Sequence, residues 1–127
     1  MTQQQQGQGL ISKSLDRPDE TRPIPNGKGK VEVVQLGGVT VMRATFQPGW
    51  RWSEHVKPIA QTESCQLAHT GYLLAGRLHV RMDDGTELEM GPGEASVTPP
   101  GHDAWVVGDE PAVLLDFAGA QDYAKPG

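Results

Sequence analysis

The chain carries a single cysteine, Cys65, in 127 residues, which excludes an intramolecular disulfide and leaves the fold to packing alone. A lone thiol agrees with a reducing compartment. Aromatic residues are scarce at 6%, so each of the three tryptophans supplies a large share of any apolar wall. No apolar run approaches ~18 residues, the length a membrane helix needs. The N-terminus lacks both the basic start and the apolar core of a signal peptide. Lys and Arg total 11 against 16 Asp and Glu, a net charge of −5, and no basic cluster offsets this locally, which argues against a nucleic-acid partner. A cytoplasmic protein with no membrane partner is the expectation. Phosphate-binding G-x-x-x-x-G-K-S/T loops, G-x-S-x-G elbows and paired C-x-x-C motifs are also missing. Nucleotide hydrolysis, serine hydrolysis and a zinc ribbon therefore have no support.

What the sequence does have is turn formers, 16 Gly and 10 Pro. Residues 1–29, with the run Gln3 to Gln6 and few sizeable apolar groups, read as a flexible arm; Leu10 to Leu15 could add a strand to an exposed sheet edge. From Lys30 to about residue 118 short β-rich runs alternate with turns, and residues 119–127 read as a tail. Val31 to Leu36 and Val39 to Phe46, joined by Gly37-Gly38, form a hairpin. Asp83-Asp84-Gly85 marks a second. Further runs are Gln66 to Leu74, Arg77 to Met82, Thr86 to Met90, Ala95 to Thr98, Ala104 to Val107 and Val113 to Phe117. No stretch has capped helical periodicity. Strands spaced roughly 8 to 12 residues apart fit an antiparallel barrel or sandwich in one domain. The irregular stretch Gln47 to Ala68 concentrates Trp50, Trp52, His55 and Cys65, and functional residues gather on such loops.

Gly49 is followed after five residues by His55, then by Val56 and Lys57, and six residues separate His69 from Gly76. Farther on, Gly93 is followed after five residues by Pro99-Pro100-Gly101 and, two residues later, by Ala104. These stretches resemble the two motifs of the cupin superfamily: G, five residues, H-x-H, a few residues, E, six residues, G; then G, five residues, P-x-G, two residues, H. The resemblance covers about residues 30 to 118 and implies an all-β jelly-roll barrel, a double-stranded β-helix. Gly76, Gly91 and Gly101 suit turn positions with positive φ.

The family's metal site uses three histidines and a glutamate. His55 keeps the first position, Lys57 replaces the second histidine, His69 replaces the glutamate, and Ala104 replaces the last histidine. An ammonium repels a cation. Because residues two apart in a strand share a face, His102 can stand in for Ala104. His55, His69 and His102 then offer three nitrogens to zinc, iron, nickel, manganese or copper, with Cys65 or Glu63 as a fourth ligand. A metal-free pocket is equally compatible with these residues, since a buried cysteine is commonly a small hydrophobe and a histidine commonly bonds a neighbouring backbone group. Trp50, Trp52, Lys57, Tyr72 and Trp105 complete the expected ligand pocket, whereas His79 alternates with apolar neighbours and is assigned to the outer face. Arg43 and Arg51 could pair a ligand carboxylate or nearby acids. Two functions remain open: a homodimeric cupin binding a small polar molecule, with or without a metal, and a metal-dependent dioxygenase, isomerase or lyase.

Overall fold

The structure, a computed structural model, describes residues 9–118 and 123–124. Its strands are β1 (Glu20–Ile24), β2 (Gly29–Leu36), β3 (Val39–Phe46), β4 (His69–Ala75), β5 (Leu78–Met82), β6 (Glu87–Met90), β7 (Ala95–Thr98), β8 (His102–Val106) and β9 (Ala112–Asp116). All pairings are antiparallel. One sheet has six strands in the order β1-β2-β3-β9-β4-β7 and the other three in the order β6-β5-β8. The last strand, β9, lies between β3 and β4, the long return of a jelly roll. Alternation in each strand sends one set of side chains inward: Val31, Val33, Met42 and Leu73 from the larger sheet meet Leu78, Val80 and Val106 from the smaller.

Both expected hairpins form. β2 and β3 pair from Gly29↔Phe46 to Leu36↔Val39, and β5 and β6 pair across the turn at Gly85, whose φ is 93°. Gly76 and Gly101 have positive φ. Gly91 does not, contrary to expectation, and Gly93 takes the left-handed conformation in that turn. The irregular stretch contains two short helices, α1 (Trp52–His55) and α2 (Lys57–Ala60). No helix among the described residues is long and apolar enough to cross a membrane.

The N-terminal segment departs from the expected flexible arm. β1 pairs with β2 from Glu20↔Val33 to Ile24↔Gly29, so the sheet begins ten residues before Lys30. Pro23 is tolerated because β1 is an edge strand, and the alternation buries Arg22 and Ile24. Residues 13–19 lie against the outer side of β2. The Asp19 backbone N–H donates to Val33 O, the Gln35 backbone N–H donates to Asp19 Oδ2, and Arg43 Nη2 donates to Leu15 O and to Asp16. Glu32 and Val34, which point away from the core, are buried there all the same. Leu10 to Leu15 is not a strand, and Leu10 is fully exposed. Within 119–127, Tyr123 and Ala124 are described and both are buried; the rest of that segment lies outside the described residues.

Candidate metal centre

Three chain segments meet at one end of the barrel. His69 opens β4 and pairs with Thr98. His102 opens β8. Cys65, in the approach to β4, makes a backbone bridge to His102: Cys65 N–H donates to His102 O over 2.7 Å, and Gly101 N–H donates to Cys65 O over 2.6 Å. The side chains converge, so that one ligand atom each from Cys65, His69 and His102 lies within 4.8 Å of the other two. Cys65 Sγ is 3.6 Å from His69 Nε2, and the imidazoles of His69 and His102 meet edge to face at 5.2 Å. Cys65 and His102 are buried and His69 nearly so.

Each histidine is held by its other nitrogen. His102 Nδ1 donates to Pro99 O over 2.8 Å. His69 Nδ1 bonds Asp116 Oδ2, and the second oxygen, Oδ1, accepts the Ala118 backbone N–H over 2.8 Å. Asp116 is fully buried. Its place follows from register: Asp116 pairs with Gly71, two residues along β4 from His69. A Cβ on Gly71 would collide with Leu115 O, so only glycine permits this approach of β9.

The electrostatics follow from these contacts. Burial raises the Cys65 thiol, but bonds from His102 and His69 outweigh it and bring the thiol down to about 6. Burial likewise works against a charged His69, yet Asp116 and Cys65 together hold its proton up to about 9. At neutral pH the unit is a thiolate, an imidazolium and a carboxylate in a row. Tyr123, edge-on to His69 at 5.4 Å, has its hydroxyl pushed well above the ordinary range by burial and by the nearby Cys65 and Asp116 charges.

One donor pair of the group has the separation that a tetrahedral ion requires. Zinc bonds of about 2.3 Å to sulfur and 2.0–2.1 Å to nitrogen, at a tetrahedral angle, separate the two atoms by about 3.6 Å, the distance found between Cys65 Sγ and His69 Nε2. A carboxylate or carbonyl on the far nitrogen of a ligating histidine is the usual support of such sites, and both histidines have one.

Of the other residues expected at the site, only Trp50 and Trp52 lie beside it. His55 ends α1 with Nδ1 3.1 Å from both the N and the O of Arg51, lines neither cavity described below, and is not a member of the convergent group. Lys57 on α2 reaches Glu63 at 3.4 Å, and the Glu63 side chain is almost wholly exposed, so neither enters the barrel. Tyr72 and Trp105 occupy outward positions of β4 and β8, set by the strand alternation; Trp105 stacks on His79 at 4.7 Å beneath the Arg51 guanidinium. His79 is thus on the outer face. Arg43 pairs with Glu32 and Asp16, and Arg51 with Glu54 and Asp103. Trp50 and Trp52 are inside, lining a cavity of about 50 Å³ with His69, His102 and Thr98. Trp50 Nε1 is buried without an acceptor among the described residues.

Asp116 and Tyr123 were not anticipated from the sequence. A signal for Asp116 exists: in Ala112-Val-Leu-Leu-Asp116 the alternation puts the acid on the same inward face as Ala112 and Leu114. Nothing in the sequence marks Tyr123.

The two facing sheets have the architecture of the cupins, the double-stranded β-helix. No family model matches the chain, and no curated protein does. Solved structures do. A sugar phosphate isomerase from a cupin superfamily of Silicibacter pomeroyi is similar with a TM-score of 0.60 and 20% identity, over 86% of this chain and 75% of that one. An uncharacterized conserved protein with a double-stranded beta-helix domain from Klebsiella pneumoniae matches at TM-score 0.56 and 20% identity, over 91% and 94%. A Lactobacillus farciminis oxalate decarboxylase, solved as a formate complex, matches at TM-score 0.54 and 19% identity, over 76% of this chain but 30% of that one. The chain has the cupin fold.

Proposed function

We propose that this chain is a small metal-binding cupin that holds one divalent transition ion, zinc foremost, through Cys65, His69 and His102, and presents it to a small molecule. The observation that carries the reading is the convergence of one thiol and two imidazoles whose far nitrogens are already bonded. A bound dication would supply a Lewis-acid centre with one position left for water or a ligand oxygen. Around it the chain's own groups divide the work. Asp116 and Pro99 O orient the imidazoles, while Trp50 and Trp52 wall the small cavity beside them. Two structures sharing the fold are an isomerase and a decarboxylase; together with the open fourth position, this favours an enzyme as the second reading. A thiolate ligand in a chain with one cysteine suits the reducing cytoplasm.

Metal analysis of protein purified without added chelator is expected to give close to one ion per chain. Cobalt substitution should add the near-ultraviolet band of a thiolate-to-metal transition, absent in Cys65→Ser. A chain that takes up no zinc or cobalt at neutral pH ends this reading.

A homodimer belongs to the same proposal. Tyr72, Leu74 and Val97 are exposed on the outer side of β4 and β7, with Phe117 just beyond β9, and a row of this kind commonly marks an interface. Light scattering is expected to report twice the 13.7 kDa chain mass for the wild type and a single chain mass for Leu74→Glu. A monomeric wild type refutes it.

A further inference from the structure

Two cavities meet at the candidate centre, and their sizes differ. The inner one, about 50 Å³, has room for a water molecule or two, each needing roughly 10–15 Å³ on this measure. The outer one, about 290 Å³, lies between α1, α2 and the approach to β4. Trp52 and Tyr123 line both, and Cys65 lies in the outer lining. Val56, Ile59 and Leu67 make the outer cavity apolar, and among its described lining residues there is no Asp, Glu, Lys, Arg or His; Thr62 and Gln66 are polar but neutral.

We propose that the outer cavity is the organic-ligand site and that it takes an apolar molecule of several carbons with one uncharged terminal oxygen group, an alcohol or a carbonyl, directed at Cys65 and the ion beside it. This rests on the metal reading for the head group and not for the body. The inner cavity is too small for any organic substrate, while the outer one approaches the usual range of small-molecule sites, about 300–1,000 Å³. An apolar lining selects an apolar body. The head is uncharged because no Lys, Arg or His stands among the described residues of the outer lining to receive an anion.

The test is a series of straight-chain 1-alkanols, ethanol to 1-hexanol, titrated into metal-free and zinc-loaded protein and followed by tryptophan fluorescence, with alkanoates of equal length beside them. Affinity is expected to rise about fourfold per methylene, the factor for burying one from water, in both forms of the protein. Ala60→Trp, which places bulk at the exposed rim of the cavity, should flatten that dependence and leave zinc content unchanged. Zinc should tighten the alkanols and favour them over the alkanoates. No chain-length dependence in wild type, or a dependence unaltered by Ala60→Trp, overturns the cavity assignment. Alkanoates binding more tightly than alkanols overturns the neutral head. A chain-length dependence in protein that holds no zinc supports the cavity while the metal reading fails.

Discussion

Asp116→Ala is expected to weaken zinc binding by about 10- to 100-fold at pH 9, the usual consequence of removing the group that supports a ligating histidine. It should also lower the stability of the metal-free protein by about 3 kcal/mol, since it leaves one member of a buried charged pair without its partner. Both effects follow from position. The carboxylate is fully buried, receives His69 Nδ1 on one oxygen, and accepts the Ala118 N–H on the other. Alanine removes both contacts. Asparagine has a single oxygen and can keep only one of them, so Asp116→Asn should fall between wild type and alanine. Chelator competition and urea unfolding measure the two quantities. The loss of affinity should shrink toward pH 7, because the carboxylate that makes His69 a better ligand also makes it a better base. A variant that merely loosened the barrel would weaken binding equally at both pH values. Wild-type affinity in Asp116→Ala at pH 9 would remove Asp116 from the site.

The parts of this molecule legible in the sequence are those set by local chemistry. The turns at Gly37-Gly38 and Asp83 to Gly85, and the alternation in Val39 to Phe46, depend on neighbouring residues and reappear in the structure. The Glu20 to Ile24 strand was hidden because its proline argues against a strand unless the segment lies at a sheet edge, and edge position is a property of the whole sheet. The site divides the same way. His69 and His102 were found from the motif frame, and Cys65 was expected only as a possible fourth ligand behind His55, the residue in the motif's first ligand position. A backbone bridge between Cys65 and His102 brings the thiol into the convergent group and leaves His55 outside it, and no spacing rule contains that bridge. Tyr72 and Trp105 were placed in the pocket on residue type, whereas strand parity sends both outward. Asp116 reaches His69 across forty-seven positions in sequence, through a pairing that only the assembled sheet creates.

Zinc affinity should depend steeply on pH, and the direction is fixed by the two titrating ligands. In the metal-free protein His69 keeps its proton up to about 9, while Cys65 loses its own near 6. A metal needs the thiolate and the neutral imidazole. Between these values Cys65 is ready and His69 is not, so binding must expel one proton from His69. Affinity is therefore expected to fall about tenfold for each pH unit below 9, a drop of about 100-fold by pH 7, since one proton competes per ion. Above about 9 the dependence should flatten. Below about 6 it should steepen, because Cys65 then holds a proton as well. The proton on His69 that leaves is the one on Nε2, as Asp116 retains the one on Nδ1. Calorimetry in buffers of different ionisation enthalpy should count about one proton released per zinc at pH 7.5. In Asp116→Ala, where Cys65 alone still works against the burial of His69, the count should fall well below that of the wild type. An affinity independent of pH between 7 and 9 would mean that His69 is not a ligand.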